Sequence, residues 1–209
     1  YGMFKYLEPF IDGSWNIVFY DHRAHGESDG KYPTFGAFER YDLGRIVHTA
    51  RTRWPDASIL LYGESMGAAT VLQYLADDLK IEAAVADCPY NNLRTELQHQ
   101  LTCMHIPHIL HAPLLAGARL YVKQKAKFDF NRIDPQQDAL NSTCPLLLAH
   151  GSADNYVPTR MSEELYKSRS ALAPTSLHLT PEAEHAKSIV TDRDSYLKAV
   201  RAFLSEVKV

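Results

Sequence analysis

Residues 63–67 read GESMG and match the pattern G-x-S-x-G, which can present a serine as a nucleophile. They follow the apolar residues 58–62 and precede the small residues 67–70, as in a tight turn from a strand into a helix. Such a turn crowds the backbone, so glycine is expected to be needed at both flanking positions. The turn would lift the Ser65 hydroxyl to the carboxyl edge of a sheet and aim the Met66 N–H at a developing oxyanion.

A nucleophilic serine needs a general base that is held by a third group. His185, in PEAEHA before the last helical segment, is the candidate base. Asp154, in HGSAD after an apolar run, is the candidate acid. Because the carboxyl ends of parallel strands share one edge of a sheet, the sequence predicts a Ser65–His185–Asp154 triad at that edge.

Other ionisable residues compete for these roles. Asp87 ends the apolar residues 81–86 and is the alternative acid. His178 is predicted to be an ordinary strand residue. His22 and His25 are predicted to hydrogen-bond their own loop, and His25 is also a candidate to line the site.

Three histidines recur at every third position of one segment, namely His105, His108 and His111. Pro107 interrupts a regular helix there, and no nearby carboxylate or cysteine completes a tetrahedral ligand set. We therefore predict no metal and no cofactor.

Short apolar runs alternate with segments of helical period along the chain. Strands are predicted at residues 15–20, 58–62, 81–86, 145–149 and 175–179. Helices are predicted at residues 38–53, 67–79, 159–172 and 188–207. This alternation is typical of an α/β protein with a doubly wound, mostly parallel sheet and flanking helices.

We predict a single domain over residues 1–209, with a core of residues 1–88 and 142–209. Residues 89–141 are too long for a simple connection, and their apolar patches predict a helical lid over the carboxyl edge of the sheet, broken by Pro107 and Pro113. Candidate substrate-binding side chains in this lid are Met104, Ile109 and Leu114. The same side chains would equally suit packing of the lid onto the sheet.

The composition excludes several classes of protein. Hydrophobic residues make up 45% and charged residues 22% of the chain, as in soluble globular proteins. Lys and Arg number 22 against 25 Asp and Glu. The chain has no excess of basic residues, so we predict that it does not bind nucleic acid. No stretch reaches the ~18 apolar residues of a membrane span. Three cysteines at wide spacing predict free thiols in a reducing, cytoplasmic compartment, namely Cys88, Cys103 and Cys144.

With these motifs, and with residues 21–28 reading DHRAHGES, the whole chain resembles the α/β-hydrolase superfamily. It is most similar to the esterase, monoacylglycerol-lipase and serine-aminopeptidase-like serine hydrolases with a short helical lid. The first motif is commonly D-x-R-G-H-G-x-S in that group, and Ala24 replaces its glycine here. The resemblance implies cleavage of a carboxylic ester through an acyl-enzyme on Ser65, with a small acyl compound as substrate.

The resemblance also implies three strands ahead of residues 15–20, the third ending in a His-Gly loop that supplies a second oxyanion donor. Nothing here matches them, so we expect these strands and the second donor to lie upstream of this chain. That third strand would lie between residues 15–20 and 58–62. Alternative functions are a peptidase or acyltransferase with the same triad, and a non-catalytic binding module on the same fold. The sequence does not indicate an oligomeric state.

Overall fold

The sheet is parallel and its strands are adjacent in chain order. The computed structural model describes residues 2–11 and 14–208. The strands in these residues are β1 (Leu60–Glu64), β2 (Ala83–Asp87), β3 (Leu146–Gly151) and β4 (Thr175–Thr180). In the register, Glu64 lies opposite Asp87, and Asp87 lies opposite Ala149. The carboxyl ends of the strands therefore meet at one edge, as the predicted α/β class requires.

Helices flank the sheet and fill most of the connections. In the described residues they are α1 (Glu39–Arg53), α2 (Met66–Tyr74), α3 (Leu93–Cys103), α4 (His108–Lys125), α5 (Pro135–Leu140), α6 (Arg160–Arg169), α7 (Ser188–Thr191) and α8 (Arg193–Val207). Short 3₁₀ helices occupy Gly2–Tyr6, Glu8–Phe10 and Phe130–Arg132. The last predicted helix is divided at Asp192, whose side chain accepts the Ser195 N–H at 3.1 Å and caps α8.

Both faces of the two central strands are covered, which explains their almost wholly apolar sequences. On one face α1 and α2 pack against Ala84, Ala86, Leu146 and Leu148. On the other face α8 packs against Ala83, Val85, Leu147 and Ala149. Burial of each larger aliphatic side chain contributes about 1.5–3 kcal/mol to this core. The result is three layers, helix–sheet–helix, that hold the carboxyl ends of the strands in fixed positions.

The strand predicted at residues 15–20 is wrong, because the described residues of this segment form no ladder. Its apolar side chains are partly exposed, with Ile17, Val18 and Phe19 at 42%, 47% and 44%. A strand needs a hydrogen-bonded neighbour. Here a cavity of about 740 Å³, lined by both segments, lies between these residues and the edge strand β1. The cavity occupies the place that the resemblance assigns to a further strand.

The prediction that Pro113 breaks the lid helix is also wrong, because Pro113 lies inside α4. A proline there removes the N–H that would bond to the Ile109 carbonyl. The helix nevertheless continues on both sides of this position. Its inner side is anchored, since His111 Nε2 donates to the Ile106 carbonyl at 2.9 Å and Leu115 is buried.

Helix α3 is attached to the loop that follows β3. His99 Nε2 donates to the Asn155 carbonyl at 2.9 Å, and the Gln100 amide donates to the Tyr156 carbonyl at 2.7 Å. The start of the insertion therefore lies beside the carboxyl edge of the sheet. None of the helices within residues 2–11 and 14–208 has the length and hydropathy that a bilayer crossing demands.

Candidate active site

Ser65 occupies the strained turn between β1 and α2. Its φ of 52° and ψ of −116° lie outside the regions that a serine normally adopts, which costs about 1–3 kcal/mol. A Cβ added at Gly63 would lie 2.5 Å from the backbone of Gly67, so glycine is required there. At Gly67 an added Cβ would meet only His22, at 3.7 Å. The expectation that both positions need glycine is therefore correct for Gly63 and wrong for Gly67.

Met66 is the first residue of α2. The first N–H groups of a helix have no acceptor within it, and they lie at the positive end of the helix dipole. The Met66 N–H is thus suited to an anion formed next to Ser65. The second oxyanion donor stays a prediction.

Ser65 and His185 are neighbours although 120 residues separate them in the chain. His185 Nε2 lies 2.9 Å from Ser65 Oγ, and His185 Nδ1 lies 2.7 Å from Asp154 Oδ2. Because a carboxylate only accepts hydrogen bonds, Nδ1 carries the proton and Nε2 can accept the serine hydroxyl proton. The three side chains predicted from the sequence are therefore brought into one hydrogen-bonded chain.

Asp154 is held by backbone N–H groups as well as by imidazoles. Its Oδ1 accepts the N–H groups of Tyr156 and Val157, both at 2.9 Å. Its Oδ2 accepts from His150 at 3.1 Å and from His185. Burial by itself raises the pKa of this carboxyl group, but these hydrogen bonds outweigh it and hold the pKa well below its usual range. Asp154 is thus a fixed anion beneath the imidazole.

Asp87, the alternative acid, has a different set of partners. It is fully buried, and its Oδ2 accepts the hydroxyls of Tyr6 at 2.8 Å and Tyr196 at 2.9 Å. Its Oδ1 has no hydrogen-bond partner among the described residues. Burial raises the pKa of Asp87 despite the two tyrosines. Neither of its oxygens bonds to His185.

A lysine and a tyrosine near the start of the chain contact the site, and sequence reasoning missed both. Lys5 Nζ pairs with Glu64, which precedes the serine, and donates to the Ala186 carbonyl, which follows His185. The Tyr6 hydroxyl lies 2.5 Å from a Glu64 carboxylate oxygen as well as 2.8 Å from Asp87, so its one proton is shared between the two carboxyl groups. These contacts tie the serine turn to the histidine loop. No local pattern signals them, because their partners lie far away in the chain.

Three other histidines, at positions 22, 25 and 178, do not belong to the hydrogen-bonded triad. His25 Nδ1 donates to the Arg23 carbonyl at 2.9 Å, which is the predicted bond within the loop. His22 instead lines the cavity next to Ser65, and its Nδ1 is buried without a partner among the described residues. His178, on β4, contacts the Thr180 hydroxyl at 3.2 Å.

The three lid side chains do not reach the serine. Met104, Ile109 and Leu114 are 68%, 84% and 48% exposed, and none of them lines the cavity beside Ser65. The inner side of α4 is formed instead by Leu115, which packs with the lid and the core. Ile109 and Leu114 lie on the solvent-exposed part of α4, and Met104 is the residue that follows the last turn of α3.

One group of side chains has the composition of a metal site, with ligand atoms of Cys88, Asp154 and His185 within 4.8 Å of one another. The oxygens of Asp154 already accept four N–H groups. Burial, reinforced by neighbouring carboxylates, raises the pKa of the Cys88 thiol, which opposes the thiolate that a metal needs. These donors therefore fit a triad with a neighbouring thiol better than a resident cation.

The chain is similar to a known protein family and to curated relatives. The model of the family described as serine aminopeptidase, S33, matches residues 5–137. The Bacillus subtilis (strain 168) protein YqkD is 31% identical over 206 residues, which cover 97% of this chain and 66% of YqkD. The Escherichia coli (strain K12) protein YfhR is 26% identical over 174 residues, covering 82% of this chain and 54% of YfhR. The chain thus spans less than two thirds of these curated relatives.

Among solved structures, the Pyrococcus furiosus esterase Pf2001 superposes with a TM-score of 0.77 at 25% sequence identity. The superposition covers 98% of this chain and 74% of that one. The same arrangement of sheet and helices is therefore present in a protein described as an esterase.

Proposed function

Because the chain belongs to the serine aminopeptidase (S33) family of α/β-hydrolases, we propose that it is a serine hydrolase that cleaves carboxylic esters. The observation that carries the proposal is the continuous pair of hydrogen bonds from Ser65 through His185 to Asp154, at 2.9 and 2.7 Å. The similarity to an esterase at 25% identity supports an ester as the substrate class. The acyl group and the alcohol are left open.

The proposed reaction follows from the positions of the protons. Ser65 Oγ attacks the carbonyl carbon while His185 Nε2 takes the hydroxyl proton. His185 then gives this proton to the leaving alcohol, and an acyl-enzyme remains on Ser65. Water attacks the acyl-enzyme with His185 again as base. Asp154 stays ionised throughout, as its lowered pKa favours, and stabilises the imidazolium.

The tetrahedral intermediate carries a negative charge on the former carbonyl oxygen. The Met66 N–H, at the start of α2, is the proposed donor to this oxygen. Loss of a single donor of this kind costs about 10²–10³-fold in turnover. A second N–H is proposed from outside the described residues.

A peptidase is the second candidate, because the matching family is described as serine aminopeptidase. The same triad would serve amide hydrolysis. The two candidates differ in the leaving group, so substrates that differ only there separate them.

The test uses the complete protein and a fluorophosphonate probe, followed by intact-mass and peptide mapping. We expect one adduct per chain, located on Ser65, and no adduct in Ser65→Ala. Ser152→Ala, a serine in the neighbouring loop whose hydroxyl accepts the Glu182 N–H, is the matched control and should label normally. Absence of an adduct on the folded complete protein would contradict the proposal and favour a binding module.

The second measurement compares p-nitrophenyl esters of increasing acyl length with aminoacyl p-nitroanilides. We expect hydrolysis of the esters and at least tenfold lower kcat/KM for the anilides, about 1.4 kcal/mol in activation free energy. The reverse preference would replace the esterase proposal by the peptidase.

A further inference from the structure

A second imidazole contacts the acid of the triad. His150 lies in β3 and is fully buried. Its Nε2 lies 3.1 Å from Asp154 Oδ2 and 2.9 Å from the Val157 carbonyl oxygen, and its Nδ1 lies 2.7 Å from Ser162 Oγ. The bonded side chains therefore form a nearly symmetrical series, Ser65–His185–Asp154–His150–Ser162.

The partners of His150 define its tautomer. Nε2 faces only acceptors, a carboxylate and a carbonyl, so this nitrogen carries the proton. Nδ1 faces a hydroxyl, which can donate to it. A ring with its proton on Nε2 therefore accounts for all three contacts: the two acceptors select that tautomer, and the Ser162 hydroxyl donates to Nδ1.

His150 and His185 share one oxygen of the carboxylate, because both contact Oδ2. The other oxygen is occupied by two backbone N–H groups. The His150 N–H thus holds Oδ2 in place and also draws negative charge away from the bond to His185. Of the interactions that lower the pKa of Asp154, the hydrogen bond from His150 has the largest effect.

We propose that His150 is a positioning residue of the triad: it orients Asp154 toward His185 and sets how strongly Asp154 attracts the imidazolium, with Ser162 acting through it. The inference rests on the proposed function, in which His185 is the catalytic base. It assigns no contact between His150 and the substrate.

Other ionisable groups surround this series. Asp87 interacts electrostatically with His150, and Glu96, on the lid helix α3, does so with Asp154 and His185. Cys88 lies near Asp154, and the Tyr156 ring lies 4.9 Å from the His185 ring. These groups are unchanged in variants of His150 and Ser162, so a difference between such variants and the wild type isolates the His150 hydrogen bond.

His150→Phe removes the N–H and fills the same space. We expect kcat/KM for an ester to fall about 10²-fold, since a small misplacement of a catalytic group has this effect. The acid limb of its pH profile should move up by about 1 pH unit, because the carboxylate keeps more charge for the imidazolium. His150→Gln retains an N–H donor and should keep kcat/KM within about tenfold of wild type.

Ser162→Ala tests the outer end of the series. We expect an intermediate loss in the single variant and no further loss when it is added to His150→Phe, because Ser162 acts only through the ring. His178→Phe, a change of the same kind on the neighbouring β4, is the control and should leave the pH profile unchanged. Full additivity of the two losses would overturn the role given to Ser162.

An NMR titration of the His185 ring carbon measures the same effect without turnover. We expect its midpoint to rise in His150→Phe and to stay near wild type in His150→Gln. An unchanged midpoint in both, or in Ser162→Ala if His150→Phe does not fold, would refute the inference. If the wild type hydrolyses no ester and takes no probe, the proposed function fails, and the titration alone decides whether His150 acts on His185.

Discussion

Two buried aspartates lie at the carboxyl edge of neighbouring strands of one sheet, and their hydrogen-bond partners differ. Asp154 follows β3 and accepts four N–H groups, whereas Asp87 ends β2 and accepts two tyrosine hydroxyls. Both are removed from water, yet the pKa of Asp154 is lowered and that of Asp87 is raised. The number and kind of hydrogen-bond donors, more than burial or position on the sheet edge, determine which carboxylate holds a charge.

Backbone hydrogen bonds fix the loop that carries Asp154. The loop after β3 is tied to the histidine loop, because the Ala153 N–H donates to the Ala183 carbonyl at 3.0 Å and the Ser152 N–H to the Thr180 carbonyl at 2.9 Å. Gly151 permits this approach, since a Cβ there would lie 2.2 Å from the Ala183 oxygen. The loop after β3 therefore delivers its carboxylate to His185.

The largest difference between the two aspartates should be in catalysis. Asp154→Asn is expected to lower ester kcat by about 10⁴-fold, because the amide stabilises neither the tautomer nor the imidazolium. Asp87→Asn, the same chemical change one strand away, should cost less than about tenfold, since Asp87 has no bond to the triad. Steady-state kinetics at pH 8 compare them. Equal losses of kcat in the two variants would contradict the assignment of Asp154 as the acid of the triad.

A smaller effect is expected on stability around Asp87. Tyr196→Phe removes a donor to Asp87 and the partner of Tyr62, whose hydroxyl lies 2.5 Å away. The free energy of unfolding should fall by about 1–3 kcal/mol, with kcat retained. Urea denaturation measures the first and ester hydrolysis the second. Tyr121→Phe, on the exposed side of α4, is the control and should change stability by less than about 0.5 kcal/mol.

The smallest expected effect is a difference in the slope of stability with pH. The lowered pKa of Asp154 adds stability above the unfolded value of about 3.9, and this stability is lost as the pH falls below it. The raised pKa of Asp87 has the opposite sign, since the unfolded chain releases its proton first and stability falls as the pH rises above about 3.9.

Urea midpoints measured from pH 3 to 8 test these slopes by comparing the wild type with Asp154→Asn and with Asp87→Asn. Asp154→Asn should lose stability mainly at the high end of the range. Asp87→Asn should gain relative to the wild type there. The same sign in both variants would contradict the contrast between the two carboxyl groups.

The α/β class and most elements of the core could be predicted from the sequence, because their causes are local. Apolar runs of strand length and helical periodicity identify β1 to β4 and the main helices to within a few residues. Residues 15–20 have the same local pattern and form no strand, because a ladder requires a neighbour that local sequence does not supply. Pro113 also differs from its prediction, because it lies inside α4, a helix whose His111 and Leu115 are buried against the rest of the molecule.

The candidate triad residues could largely be identified from the sequence alone. A serine in G-x-S-x-G after a strand, followed by an aspartate and a histidine after later strands, leaves few arrangements on a parallel sheet. Only the tertiary structure decided which aspartate contacts His185, that His150 and Ser162 extend the series, and that Lys5 ties the serine turn to the histidine loop. Those contacts join residues far apart in the chain, so packing fixes them and no local pattern encodes them.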